Sequence, residues 1–116
     1  MLTDNPYFSI YEELSKPEAH SRYEALILLG NCEQMLGIPK EKSMVLAIAP
    51  YLHDCNDHVR YYAAESLMNL GYREAIPFLK SALPVINLKE ISPPPTSKGI
   101  EGVEYLIKMA ISELSK

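Results

Sequence analysis

A chain that matches itself at a fixed offset has few folds open to it, and this one does so at 38 residues without a gap. Residues 20–48 laid on residues 58–86 give eleven identities, where about two would be expected from average residue usage. The pairs are His20/His58, Arg22/Arg60, Tyr23/Tyr61, Ala25/Ala63, Leu29/Leu67, Asn31/Asn69, Ile38/Ile76, Pro39/Pro77, Lys42/Lys80, Ser43/Ser81 and Ile48/Ile86. In the second copy Val59-Arg60 opens a segment with Ala63, Leu67 and Leu70 on one helical face, Gly71 stops it, and Ile76-Pro77 opens the next. A self-match of this period, made of helical patterns, predicts an α-helical solenoid in which each repeat supplies a helix A and a helix B.

Asp54, Val59-Arg60, Ala63, Leu67 and Gly71, followed by Glu74-Ala75-Ile76-Pro77, resemble one unit of the HEAT-like repeats found in phycobilisome lyase-type and many other bacterial proteins. In the first copy Arg22, Ala25, Leu29, Ile38 and Pro39 agree with that pattern, while Ser21 replaces the usual branched residue and no Asp stands at position 16. The resemblance spans roughly residues 17–90. It implies an all-α fold, a short αα-superhelix of two helix pairs with a capping helix at each end. Its implication for activity is weaker, because family members range from binding scaffolds to enzyme subunits. Some enzymes built on such repeats bind iron through His-Glu dipeptides. Here His20, His53 and His58 precede Ser21, Asp54 and Val59, a departure that counts against iron chemistry.

Size and composition narrow the function classes. At 116 residues the chain is long enough for one domain that buries roughly two-thirds of its unfolded surface. Hydrophobic residues at 47% and charged residues at 22% are those of a soluble globular protein, too apolar for a disordered one. A net charge of −4 argues against a duplex nucleic-acid binder, which needs cations for the phosphates. Cys32 and Cys55 are too sparse for a disulfide scaffold, and Met1-Leu2-Thr3-Asp4 begins no signal peptide, so reduced thiols in the cytoplasm are expected. The longest near-apolar run, Met44 to Leu52, is too short to cross a bilayer.

In order, the patterning predicts a cap helix over about residues 4–15, with Tyr7, Ile10, Tyr11 and Leu14 on one face. Repeat one covers about 16–53. Its helix A starts at a capping box Ser15-Lys16-Pro17-Glu18 and runs to Leu36, with Ala25, Leu28, Leu29, Cys32 and Leu36 in the core and Tyr23 and Ile27 free to meet the cap helix. Its helix B has Pro39 in the first turn, buries Val45, Ile48, Ala49 and Leu52, and kinks or ends early at Pro50. Repeat two covers about 54–90, with helix A at Asp57–Leu70 and helix B from about Arg73 to Ile86, open to a break at Pro84. A proline-rich loop over about 87–99 leads to a C-terminal helix at about 99–115, marked by Val103, Leu106, Ile107, Ala110, Ile111 and Leu114.

No glycine-rich phosphate loop, nucleophile elbow or paired-carboxylate site is present. His53, Asp54, Cys55, Asp57 and His58 fall within six positions, but their spacing follows no standard zinc pattern. Asp54 and Arg60 read instead as a structural pair tying the inter-repeat turn to its helix, with Asn56 or Asp57 as cap. Cys55 alone in a turn does not make a nucleophile, and the repeated Tyr23/Tyr61 and Lys42/Lys80 pairs read as packing and solvated stems. The expectation is therefore a non-catalytic module without metal or cofactor that binds a protein partner, and neither nucleic acid nor membrane, through the outward side of its B helices. Helical phase counted from Ile38 assigns that side Lys40, Ser43, Ala47 and Tyr51, and the 38-residue shift adds Phe78, Ser81 and Val85. Phe78 and Val85 either lie under the last helix or join Tyr51 in an exposed apolar patch. The alternatives are an inhibitor or immunity protein that masks a toxin, or an accessory subunit of a bilin lyase-type enzyme.

Overall fold

The computed structural model describes residues 6–83 and 100–116. The helices are α1 (Pro6–Leu14), α2 (Ala19–Gly30), α3 (Cys32–Leu36), α4 (Ser43–Ile48), α5 (Asp57–Leu70), α6 (Ile76–Ala82) and α7 (Ile100–Leu114), and no strand occurs among the described residues. Short 3-10 turns extend α4 over Ala49–His53 and precede α6 at Arg73–Ala75.

Helix α5 is the centre of the molecule, with α2 against one side and α7 against the other. Its start is capped by Asn56, whose side-chain oxygen accepts from the N–H groups of His58 and Val59 at 2.9 and 3.2 Å. Its end is set by Gly71 in the left-handed conformation, φ 81°, which a glycine adopts without steric cost. Serving two neighbours requires a wide apolar arc, and Val59, Ala63, Ala64, Ser66, Leu67 and Leu70 are all buried. The α2–α5 crossing is close because Gly30 faces Ser66. A Cβ on Gly30 would stand 2.7 Å from the Ser66 Cα, and the Ser66 hydroxyl donates to the Leu26 carbonyl.

Helix α4, its 3-10 extension and α6 form a second layer. Met44, Val45, Ile48, Ala49 and Leu52 are buried there, and α6 contributes Leu79. The α-helix ends before Pro50, as its ring requires, and the 3-10 turn carries the chain to His53. Helix α1 covers the first flank through Ile10 and Leu14. Helix α7 buries Val103, Leu106, Ile107, Ala110 and Leu114, mostly against α5 and secondarily against α6. It stands beside α5 as a third helix of the A layer.

Repeat one departs from its sequence pattern. Helix A does not run to Leu36 but breaks at Asn31, φ −123°. The Asn31 side-chain amide and backbone N–H both donate to the Ile27 carbonyl, at 2.9 and 3.1 Å. Following Gly30, a poor helix former, this local competition ends the helix. Helix α3 then leaves the core line, so Leu36, expected in the core, is 40% exposed, and Met35 is 55% exposed. Tyr23 stacks on Tyr62 of α5. The Ser15–Glu18 segment is not a capping box. Pro17 biases Lys16 away from helical dihedrals, the Ser15 hydroxyl donates back to the Glu12 carbonyl at 2.8 Å, and Glu18 caps α2 without a side-chain bond.

Helix B of repeat one starts at Ser43, not at Pro39. The N–H groups of Gly37 (φ 68°) and Ile38 return to the carbonyls of Glu33 and Cys32, and residues 38–41 are non-helical. In repeat two the α-helix is Ile76–Ala82, shorter than predicted, and Leu83 is extended at ψ 135°, the conformation favoured before a proline. Pro84, Val85, Ile86 and the proline-rich segment over about 87–99 lie outside the described residues, as do residues 1–5.

Candidate partner-binding groove

Between the two B elements runs a groove of about 190 Å³, walled by Leu46, Ala49, Pro50 and His53 on one side and by Phe78 and Ser81 on the other. Leu46 is 65% exposed although it lies inside α4. Its neighbours Met44 and Val45 point into the core, so the next position, about 100° further round, falls on the flank toward α6. One turn earlier on these two flanks, the Lys42 ammonium meets the Glu74 carboxylate at 3.3 Å and links the elements across the solvent side. The groove is thus apolar inside, with an ion pair above one end and His53 at the other.

The predicted binding residues divide. Phe78 and Ser81 line the groove, the Ser81 hydroxyl donating to the Phe78 carbonyl at 2.8 Å. Ser43 is exposed and Ala47 half-buried. Tyr51 is half-buried, with its hydroxyl donating to the Leu14 carbonyl at 2.9 Å, which ties the 3-10 turn to the end of α1. Lys40 lies outside any helix, and its ammonium donates to the Asn69 carbonyl in the last turn of α5 at 3.1 Å. Val85 lies outside the described residues. Leu46, Pro50 and His53 were missed because a groove between neighbouring helices is built from their facing flanks, not from the faces opposite the core.

The inter-repeat turn holds a different device. Both Asp54 carboxylate oxygens accept from Arg22 at 2.9 Å, so the ion pair spans the two repeats rather than joining Asp54 to Arg60. The two side chains are only 10% and 12% exposed. Asp54 also accepts the Asn56 N–H at 2.9 Å. Burial works to raise the Asp54 carboxyl, but the Arg22 bonds and the Asn56 N–H outweigh it and hold it below the usual carboxylate range. Arg22 also donates to the Lys16 carbonyl, and Arg60 donates to the Asp54 carbonyl six residues back in the same way. The Arg60 carboxylate partner is Asp57. Of the remaining members of the histidine-cysteine cluster, His58 lies toward Tyr23, and Cys55 is exposed beside Asp54. Among the described residues no three His, Cys, Asp or Glu side chains converge as a metal site, and no helix is long and apolar enough to cross a membrane.

No curated protein and no solved structure matches the chain. A family described as PBS lyase HEAT-like repeat matches residues 59–83, from the first turn of α5 to the residue after α6. That segment is similar to a HEAT-like repeat, and the described helices around it make an all-α arrangement that fits the superhelix such repeats build.

Proposed function

We propose that the chain is a non-catalytic interaction module that binds a protein partner in the groove between its B elements. The observation that carries this is Leu46, a large apolar side chain held out to solvent on a helix beside Phe78. Burying one leucine contributes about 1.5–3 kcal/mol, so the groove would serve as an anchor point within a larger contact. Leu46→Asp places a charge in the groove at an exposed site and should leave the helical circular dichroism intact. A partner that co-purifies stoichiometrically from native lysate with the parent should be lost with this variant, and its retention would move the site elsewhere. A partner that proved to be a toxin would mark the chain as its inhibitor. The family description, which names a PBS lyase, favours a second reading, an accessory subunit of a bilin lyase-type enzyme. Binding of a bilin pigment by the purified chain would favour that reading over the first.

A further inference from the structure

Where α5 ends, the chain leaves a second cleft, of about 620 Å³. Gly71 turns the backbone out of α5 and into the 3-10 turn that begins at Arg73, while α7, packed beside α5, runs on to Leu114. The last turns of the two helices line the cleft, Met68 and Asn69 from α5 and Met109 and Leu114 from α7, and Arg73 lines it from the 3-10 turn. The cleft is open to solvent. Gly71 and Arg73 are exposed, Met109 is 37% exposed, and a Cβ on Gly71 would meet nothing within 4 Å. Its charges are unevenly matched. Lys116, also at the cleft, meets Glu113 at 3.2 Å. The Asn69 carbonyl is taken by the Lys40 ammonium at 3.1 Å, so the end of α5 does not call on Arg73. Arg73 lies within electrostatic reach of the neighbouring Glu74, but that carboxylate is bonded to Lys42. Among the described residues the Arg73 guanidinium therefore has no ion pair, on a chain whose net charge is −4.

We propose that this cleft is a binding site for a small organic acid, one carboxylate on an aromatic or branched aliphatic body. Ligand clefts are commonly about 300–1,000 Å³, apolar, with a few placed polar groups. A guanidinium takes a carboxylate through two parallel N–H···O bonds, and the Asn69 amide can add a donor. Met68 and Met109 are flexible, polarisable side chains that adapt to an apolar body and favour contact with a ring, and Leu114 backs them. The C-terminal ends of α5 and α7 bring the negative poles of their dipoles to the same place. With one guanidinium to oppose them, the site suits a single negative charge and disfavours a phosphate dianion. It shares no lining residue with the groove.

The test is an NMR titration of the backbone amide shifts of the full chain with phenylpropionate, alongside its neutral amide, phenylpropylamine and acetate. Phenylpropionate should shift Asn69, Gly71, Arg73 and Met109 saturably, and its amide should bind at least about fivefold more weakly. Acetate, which lacks the apolar body, should also bind at least about fivefold more weakly, and phenylpropylamine should not bind. Arg73→Gln should bring the acid down to the affinity of the amide, whereas Met109→Ala should weaken acid and amide alike. Lys80→Gln, which removes the same charge from an exposed position on α6, should leave both unchanged. The comparison of acid with amide on the parent chain needs no variant and decides by itself. Leu46→Asp should retain acid binding, which keeps this result separate from that for the groove. Equal affinity for acid and amide, undiminished acid binding by Arg73→Gln, equal losses in Arg73→Gln and Lys80→Gln, or shifts confined to other residues would each overturn the proposal.

Discussion

The two repeats share eleven residues in register yet are built differently. In repeat two, α5 runs unbroken for 14 residues, Gly71 turns the chain, and Pro77 sits in the first turn of α6. In repeat one, α2 ends at Gly30, a further short helix follows, and the turning glycine is Gly37, four positions later than the shift from Gly71 would place it. The extra turn of chain displaces what comes after. Pro39, identical to Pro77 in the alignment, falls in a linker, and α4 starts only at Ser43. An identity in a repeat thus preserves a residue type but not its structural task. The arginines teach the same lesson. Arg22 and Arg60 both hold the carbonyl six residues back, but among the described residues only Arg22 has a carboxylate from the following repeat.

The largest test of this asymmetry is at those arginines. Arg22→Ala leaves the nearly buried Asp54 uncompensated and should cost about 3 kcal/mol, whereas Arg60→Ala, at a more exposed pair, should cost about 1 kcal/mol. Urea denaturation of both variants checks this, and equal losses would break the comparison. The same pair sets a pH dependence. The Asp54 carboxyl lies below its unfolded value, so its contribution is complete above the unfolded pKa of about 3.9 and is lost as pH falls through the lower folded value. The stability gap between the parent and Asp54→Asn should accordingly be constant near neutrality and close in acid below that range.

Next in size is the helix crossing. Gly30→Ala pushes a Cβ into the Ser66 backbone and should cost about 2 kcal/mol. Met68, its counterpart in the 38-residue shift, is half-buried, so Met68→Ala should cost about 1 kcal/mol or less. Thermal melts of the two variants would sharpen the contrast. The smallest effect should be symmetrical. Gly37→Ala and Gly71→Ala each force a left-handed alanine and should cost about 1 kcal/mol, which denaturant midpoints would register. A marked difference between them would mean that the two glycines do not perform the same turn.

What was legible from sequence follows from how local its causes are. The bounds of α5 could be read because a cap, an apolar stripe and a stop glycine all fall within one short stretch. Helix α7 could be read because its stripe is uninterrupted. The break at Asn31 could not, since Asn69 at the equivalent position lies within α5. The difference rests on the glycine before Asn31 and on a side-chain bond to Ile27. The partner of Asp54 was misassigned to Arg60 because nearness in sequence was used where the contact is between repeats. For the groove, Phe78 was found by repeat equivalence. Leu46 was not, because it lies on a flank of α4 and not on the face opposite the core, where contacts were sought.

The two thiols stand at opposite extremes of this architecture, Cys32 sealed at the start of α3 and Cys55 open in the turn between repeats. Burial also pushes the Cys32 thiol up, which keeps it in its unreactive protonated form. The chain therefore carries its own pair of clocks for a thiol reagent. Cys55, exposed, should label without any opening of the fold, while Cys32 should label only as often as repeat one opens. The lag of Cys32 behind Cys55 then reports how rarely the irregular repeat opens.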